Sequence, residues 1–229
     1  MADEIPPAAR DGGAASQLQI LATEHWSLLA TRSLTYNESL TRVTIFLAIL
    51  SGALIALALV AQADRFGETF LAIAIPMLLV VVFAGIATIS RLMRLNRDDY
   101  RWVVGMNRIR HAYLALHPEL EANFVTSPYD DLRGALQTLG IDDRGEGGGV
   151  GSVFHMVQTL PGMLSVILAA VVGAIVALAA RAFGSPPIGM VLGATAAFAL
   201  GVTVFVLWNR SSVNRVAPIL EPRFPSPRG

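Results

Sequence analysis

The chain has 229 residues, 54% of them apolar, a formal net charge of zero and no cysteine. Zero net charge removes any global electrostatic case for nucleic acid or an acidic substrate. The missing thiols exclude disulfides, thiolate metal sites and a cysteine nucleophile. All 17 basic side chains are arginine, which reads as codon bias of a GC-rich bacterial genome.

The apolar surplus falls in four blocks separated by charged, Gly-rich or Pro-rich stretches, the pattern of membrane spans rather than of one large core. The first 15 residues, rich in Pro, Gly and small side chains, predict a disordered tail. They also lack the basic leader of a signal peptide. From Ser16 to Arg42 the pattern changes to an amphipathic cytoplasmic helix. Ser16 and Gln19 fit a capping box, Leu18, Leu21, His25 and Leu28 recur at three- and four-residue steps, and Glu38 and Arg42 are spaced as an i,i+4 pair.

The first span is 43–63, about 21 uncharged residues, enough at 1.5 Å each to cross a ~30 Å hydrocarbon layer. The second, 69–90, follows so short a polar turn that the two must form an antiparallel hairpin. Past it, Leu92, Leu95, Trp102, Met106, Ile109, Tyr113 and Leu116 trace one helical face up to His117-Pro118, where Pro118 predicts a stop. Two striped helices on one side of a hairpin predict a short cytoplasmic stalk, packed on itself or on a neighbouring subunit.

Ser127-Pro128 predicts a further short helix, with Ser as N-cap, Pro at the first position, and Tyr129, Leu132, Leu136 and Leu139 on one face before Gly140. Asp130 and Asp131 then read as first-turn charges favoured by the helix dipole. The stretch 142–149 is polar and Gly-rich, a linker, and 151–160 leads along the interface into the second hairpin, whose spans are 161–180 and 188–208. The tail 211–229 completes the cytoplasmic part, and its Pro-rich end from Pro218 predicts disorder.

Orientation follows from arginine. Arg65 and Arg181 are the basic residues in the two turns, whereas Arg32, Arg42, Arg91, Arg94, Arg97, Arg101, Arg210 and Arg215 flank the opposite ends, so both termini are expected in the cytoplasm of a bacterial inner membrane. The fold expected is all-α and polytopic: four transmembrane helices in two hairpins with amphipathic cytoplasmic extensions.

Small residues recur every fourth position at Gly189, Gly193, Ala197 and Gly201, at Ala48, Gly52 and Ala56, and at Ala169, Gly173 and Ala177, flat stripes on which another helix can pack closely. Packing within one subunit is the favoured reading of the first stripe and an oligomer interface its rival. Arg91, Arg94, Arg97, Arg101, Arg108 and Arg110 could contact anionic lipid headgroups, diluted by Asp98 and Asp99. The plainer reading is topology retention plus ion pairs within the stalk.

No catalytic constellation, cofactor motif or metal spacing stands out among the four histidines. The spans carry no ionisable residue, against an ion-coupled transporter. A passive pore of several copies, lined by Ser51, Thr88, Thr195, Thr203 and backbone, stays open. In layout, Ser16–Leu116 is similar to the two-span SLATT-type effector modules of bacterial defence systems. The likeness rests on arrangement, carries no residue motif, and implies a pore-forming membrane protein. The reading is therefore a non-enzymatic multi-pass protein that contacts lipid, self-associates, binds no nucleic acid or cofactor, and can dock a cytoplasmic protein through its stalk, with an oligomeric channel as the alternative.

Overall fold

The structure is a computed structural model and describes residues 7–140, 159–214 and 221–227. All regular structure among them is helical: α1 (Pro7–Asp64), α2 (Glu68–Leu116), a 3-10 turn η1 (Pro118–Asn123), α3 (Leu132–Thr138), α4 (Leu160–Ala182) and α5 (Pro187–Asn214). Four of these helices are long and apolar enough to cross a membrane. The linker 142–149, the segment 151–158, His155 and residues 215–220 lie outside the described residues.

The chain divides into two compact units. One consists of Asn37–Asn96 with Glu146–Val216. Its core gathers Phe46, Leu57, Phe70, Ala74, Leu78, Val81, Leu92, Leu164, Leu168 and Phe205, contributed by α1, α2, α4 and α5. Glycine permits the closest approaches. A Cβ at Gly85 would meet Leu168 Cδ1 at 2.6 Å, and one at Gly173 would meet the Ala194 carbonyl oxygen at 2.9 Å. The link between α1 and α2 is tight enough to put Arg65 (φ 48°) and Phe66 (φ 61°) in the left-handed region, which non-glycine residues rarely occupy. Asp64 holds that turn: its carbonyl accepts from Gly67 N at 2.9 Å and its carboxylate from Phe70 N at 2.7 Å. The Arg181 guanidinium donates to the Phe66 carbonyl at 3.1 Å.

The other unit consists of Met1–Tyr36, Arg97–Gly145 and Ala217–Gly229. Val103, Val104 and Ala135 are its buried apolar centre, with Tyr100 and Leu139 packed against them. Leu18, Leu21, His25 and Leu28 are half-buried, whereas Ile20, Trp26, Leu34 and Tyr36 are exposed.

Four local expectations fail, the first being the disordered tail, since residues 7–15 are helical. The helix α1 starts at Pro7, so Ser16 and Gln19 are interior residues and cap nothing; proline has no amide to lose at a first helical position, and the alanines after it favour helix. Ser127-Pro128 opens no helix. Asp131, three residues on, is the N-cap of α3, accepting from Gly134 N at 2.8 Å, and the buried face is Gly134 and Ala135 rather than Leu132 and Leu136. Lastly, Glu221–Pro227 of the Pro-rich tail is pinned by the hydrogen bonds described next. Pro118 does end α2, and Gly140 follows α3 with φ 72°.

Candidate functional site

The most densely bonded polar cluster described is formed by three stretches of the second unit: Asn107–His111 on α2, the loop and cap Ser127–Asp131, and the segment Glu221–Pro227. Asp130 is 1% exposed. Its carboxylate accepts from Arg108 Nε at 2.7 Å, from Arg223 N at 2.9 Å and from Phe224 N at 2.8 Å. Its own amide donates to the Phe224 carbonyl at 3.1 Å.

Asp131 repeats the pattern one step on. Besides capping α3, it accepts from Ser226 N and from the Ser226 hydroxyl, both at 2.8 Å. Arg108 also donates to the Glu221 carbonyl at 3.0 Å, and the His111 ring stacks on Phe224 with centroids 3.9 Å apart and planes 17° from parallel.

The composition of the held segment explains the fit. Positions 222, 225 and 227 are proline and carry no N–H. Between Pro222 and Pro227 only Arg223, Phe224 and Ser226 can donate from the backbone, and all three donate to the two aspartates. The prolines also restrict the backbone of the segment, which lowers the entropy lost on docking.

Burial pushes both carboxyls toward the neutral form. The amides of Arg223 and Phe224 and the Arg108 guanidinium outweigh it at Asp130, and those of Gly134 and Ser226 with the Ser226 hydroxyl outweigh it at Asp131, so both sit below the ordinary aspartate range. Tyr100, by contrast, is pushed up by burial and then by these two negative charges.

Beneath the clamp, Asn107 is fully buried. Its amide donates to the Tyr129 carbonyl at 2.7 Å, and its carbonyl accepts from Arg110 Nη1 at 2.7 Å and the Thr138 hydroxyl at 3.0 Å. Asn107 thereby fixes the loop that presents Asp130 and Asp131. Ser127 Oγ tightens the same loop by accepting from Tyr129 N at 3.2 Å. A Cβ at Gly134 would run into the Tyr129 carbonyl, so the loop and the first turn of α3 close only around glycine.

The arginines expected at lipid headgroups are placed separately. Arg91 donates from Nε and Nη2 to both carboxylate oxygens of Glu38 at 2.9 Å, and Arg42 reaches Oε1 of the same residue at 2.7 Å. These contacts, above all the Arg91 hydrogen bonds, lower the Glu38 pKa to about 2. Arg101 pairs with Asp98, Arg108 with Asp130, and Arg110 is buried against Asn107; Arg94 is exposed and Arg97 half-buried. Arg32, from the flanking set, pairs with Asp99 at 2.7 Å.

The small-residue stripes also separate. Gly193 faces Val176, where a Cβ would lie 3.3 Å from Cγ1, and Gly201 faces Ala169 at 3.1 Å, so the α5 stripe lies against α4 of the same chain. Ala197 is half-buried along it, and Gly189 lies over the turn at Ser185 and Pro186. On α1 the situation differs: Ala48 and Gly52 are exposed, Ala56 is half-buried, and a Cβ at Gly52 would meet nothing within 4 Å.

Among the described residues no group of three or more His, Asp and Glu is placed to hold a metal ion. Comparison with known proteins finds no family model, curated protein or solved structure that matches the chain.

Proposed function

We propose that the protein is a non-enzymatic multi-pass scaffold of a bacterial inner membrane, which self-associates through its spans and docks partners through a cytoplasmic helical module. The observation that carries the reading is the open stripe on α1. Ala48 and Gly52 leave a flat, unfilled face on a helix otherwise covered with Ile45, Ile49, Leu54 and Ile55. Small-residue faces of this kind let two helices approach to backbone contact in lipid, where packing rather than hydrophobicity drives association.

Two antiparallel hairpins are supported by the brief links, residues 65–67 and 183–186, between apolar helices. A cytoplasmic location for both termini is supported by the arginine excess at the opposite ends of the spans. The exposed Arg94 suits an anionic headgroup, a contribution of about 1 kcal/mol. The polar cluster of the helical module supports docking over chemistry, because its carboxylates are already spent on four backbone amides.

The test is the particle mass of the purified protein in lipid nanodiscs. A dimer or larger assembly is expected, and a monomer across a range of protein-to-lipid ratios overturns self-association. Planar-bilayer recording on the same preparation separates the scaffold from a pore: a silent bilayer is expected, and reproducible unitary currents would replace the scaffold reading with a channel.

A further inference from the structure

The clamp has the properties of a recognition site already filled. It offers three acceptor positions to backbone amides, one arginine to a backbone carbonyl and one imidazole face to an aromatic ring, and Glu221–Pro227 uses all of them. Apart from the Phe224 ring and the Ser226 hydroxyl, the contacts are to main chain. Recognition of that kind depends on where a peptide has N–H groups and where it has none, and on a ring at one position. It does not depend on covalent continuity with the rest of the chain.

From this geometry we infer that the Asp130–Asp131 clamp is a binding site for proline-punctuated peptides of the pattern Arg-Phe-Pro-Ser, with the chain's own C-terminal segment as its resident, displaceable occupant. The inference rests on the reading of the helical module as a docking element and names the chemistry of what it docks. Ligands must present two successive backbone amides to Asp130, the second from an aromatic residue able to stack on His111. An exposed proline follows, and then a serine or threonine, whose amide and hydroxyl both reach Asp131. The occupant in trans is the same segment of a second copy of this chain, which carries this pattern by identity.

The resident segment is tethered, so its effective concentration is roughly millimolar and a free peptide competes poorly with it in the intact chain. Fluorescence anisotropy of a labelled synthetic peptide of residues 219–229 is therefore measured on three full-length proteins in detergent: wild type, the Phe224→Ala/Ser226→Ala variant, and that variant with Asp130→Asn added. Saturable binding to the double variant is expected, at least tenfold weaker binding to wild type, and loss of binding when Asp130 is changed. A labelled peptide carrying alanine in place of Phe224 should not bind any of them.

Equal affinity for wild type and the double variant overturns the inference, as does absence of binding to a double variant that melts at the wild-type temperature. Trypsin, which in this lysine-free chain cuts only after arginine, gives an independent check on wild type alone. Cleavage between Arg223 and Phe224 should be at least tenfold slower than in denatured protein, and equal rates overturn the docking. Particle mass in nanodiscs reports on self-association separately. An oligomer that fails to bind peptide sinks this inference only, and a monomer that binds it sinks only the self-associating scaffold.

Discussion

Asp130 and Phe224, 94 residues apart in the chain, hydrogen-bond each other in both directions, the Phe224 amide to the Asp130 carboxylate at 2.8 Å and the Asp130 amide to the Phe224 carbonyl at 3.1 Å. The carboxylate of a residue 1% exposed thus satisfies backbone donors of a distant segment. A buried, charge-assisted hydrogen bond of this type contributes about 1.5–3 kcal/mol, and removing one side leaves the other unsatisfied at similar cost.

Acid should release the segment. The folded pKa values of Asp130 and Asp131 lie below their unfolded ones. Their contribution is therefore complete above the unfolded value of about 3.9 and declines as pH falls through the lower folded values. Arg108 pairs with the Asp130 carboxylate at 2.7 Å. Amide exchange of the 221–227 peptide, read by mass spectrometry and corrected for intrinsic rates, should show protection that is constant between pH 7 and pH 5 and lost toward pH 2. Protection that rises on acidification would contradict this sign.

Asn107→Leu should destabilise far more than an average substitution. The leucine is close in volume, but the Tyr129 carbonyl, the Thr138 hydroxyl and Arg110 all lose a buried partner. At about 1–3 kcal/mol for each group left unsatisfied, the total is on the order of 3 kcal/mol or more. Thermal unfolding in detergent should show a fall in Tm of several degrees, accompanied by faster tryptic cleavage at Arg223 because the loop presenting the aspartates is released. An unchanged Tm would show that water replaces the asparagine.

The sequence discloses the apolar helices and hides the clamp, for a physical reason. Four uncharged runs of span length are legible because their composition lies in contiguous residues, and Pro118 and Gly140 mark the ends of α2 and α3 by local backbone chemistry. Glu38 with Arg42 was likewise readable from i,i+4 spacing. Its stronger partner Arg91, 53 residues away, was not. Asp130 and Asp131 look like helix-dipole charges from their neighbours alone, and Pro222 to Pro227 look like a tail from theirs. Their one joint signal, donors at 223, 224 and 226 between prolines and an adjacent acidic pair elsewhere, becomes visible only once the chain is folded.

Gly134→Ala should be as damaging as it looks innocuous. Alanine normally favours a helix over glycine by up to about 1 kcal/mol. Here its methyl group would strike the Tyr129 carbonyl, with the Ser127 hydroxyl 2.9 Å away as well. Backbone cannot yield as a side-chain tip can, so the loop must shift and with it the Asp131 cap. Circular dichroism melts should place the variant below wild type by several degrees. A variant at or above the wild-type Tm would mean that propensity outweighs the clash.

Bulky substitutions in two small-residue stripes should separate assembly from folding. Leucine at Gly52 has open space on its own chain, whereas leucine at Gly193 must displace Val176. Overpacking a closed helix contact costs about 1–3 kcal/mol, so Gly193→Leu should lower Tm whatever the oligomeric state. Gly52→Leu should leave the Tm of detergent-dispersed monomer unchanged while shifting nanodisc particles toward smaller mass, since a side chain would fill the face through which two copies of α1 are proposed to approach. If Gly52→Leu leaves the particle mass unchanged, association does not run through this stripe. A Gly193→Leu variant that reduces particle mass at wild-type Tm would move the interface to α5.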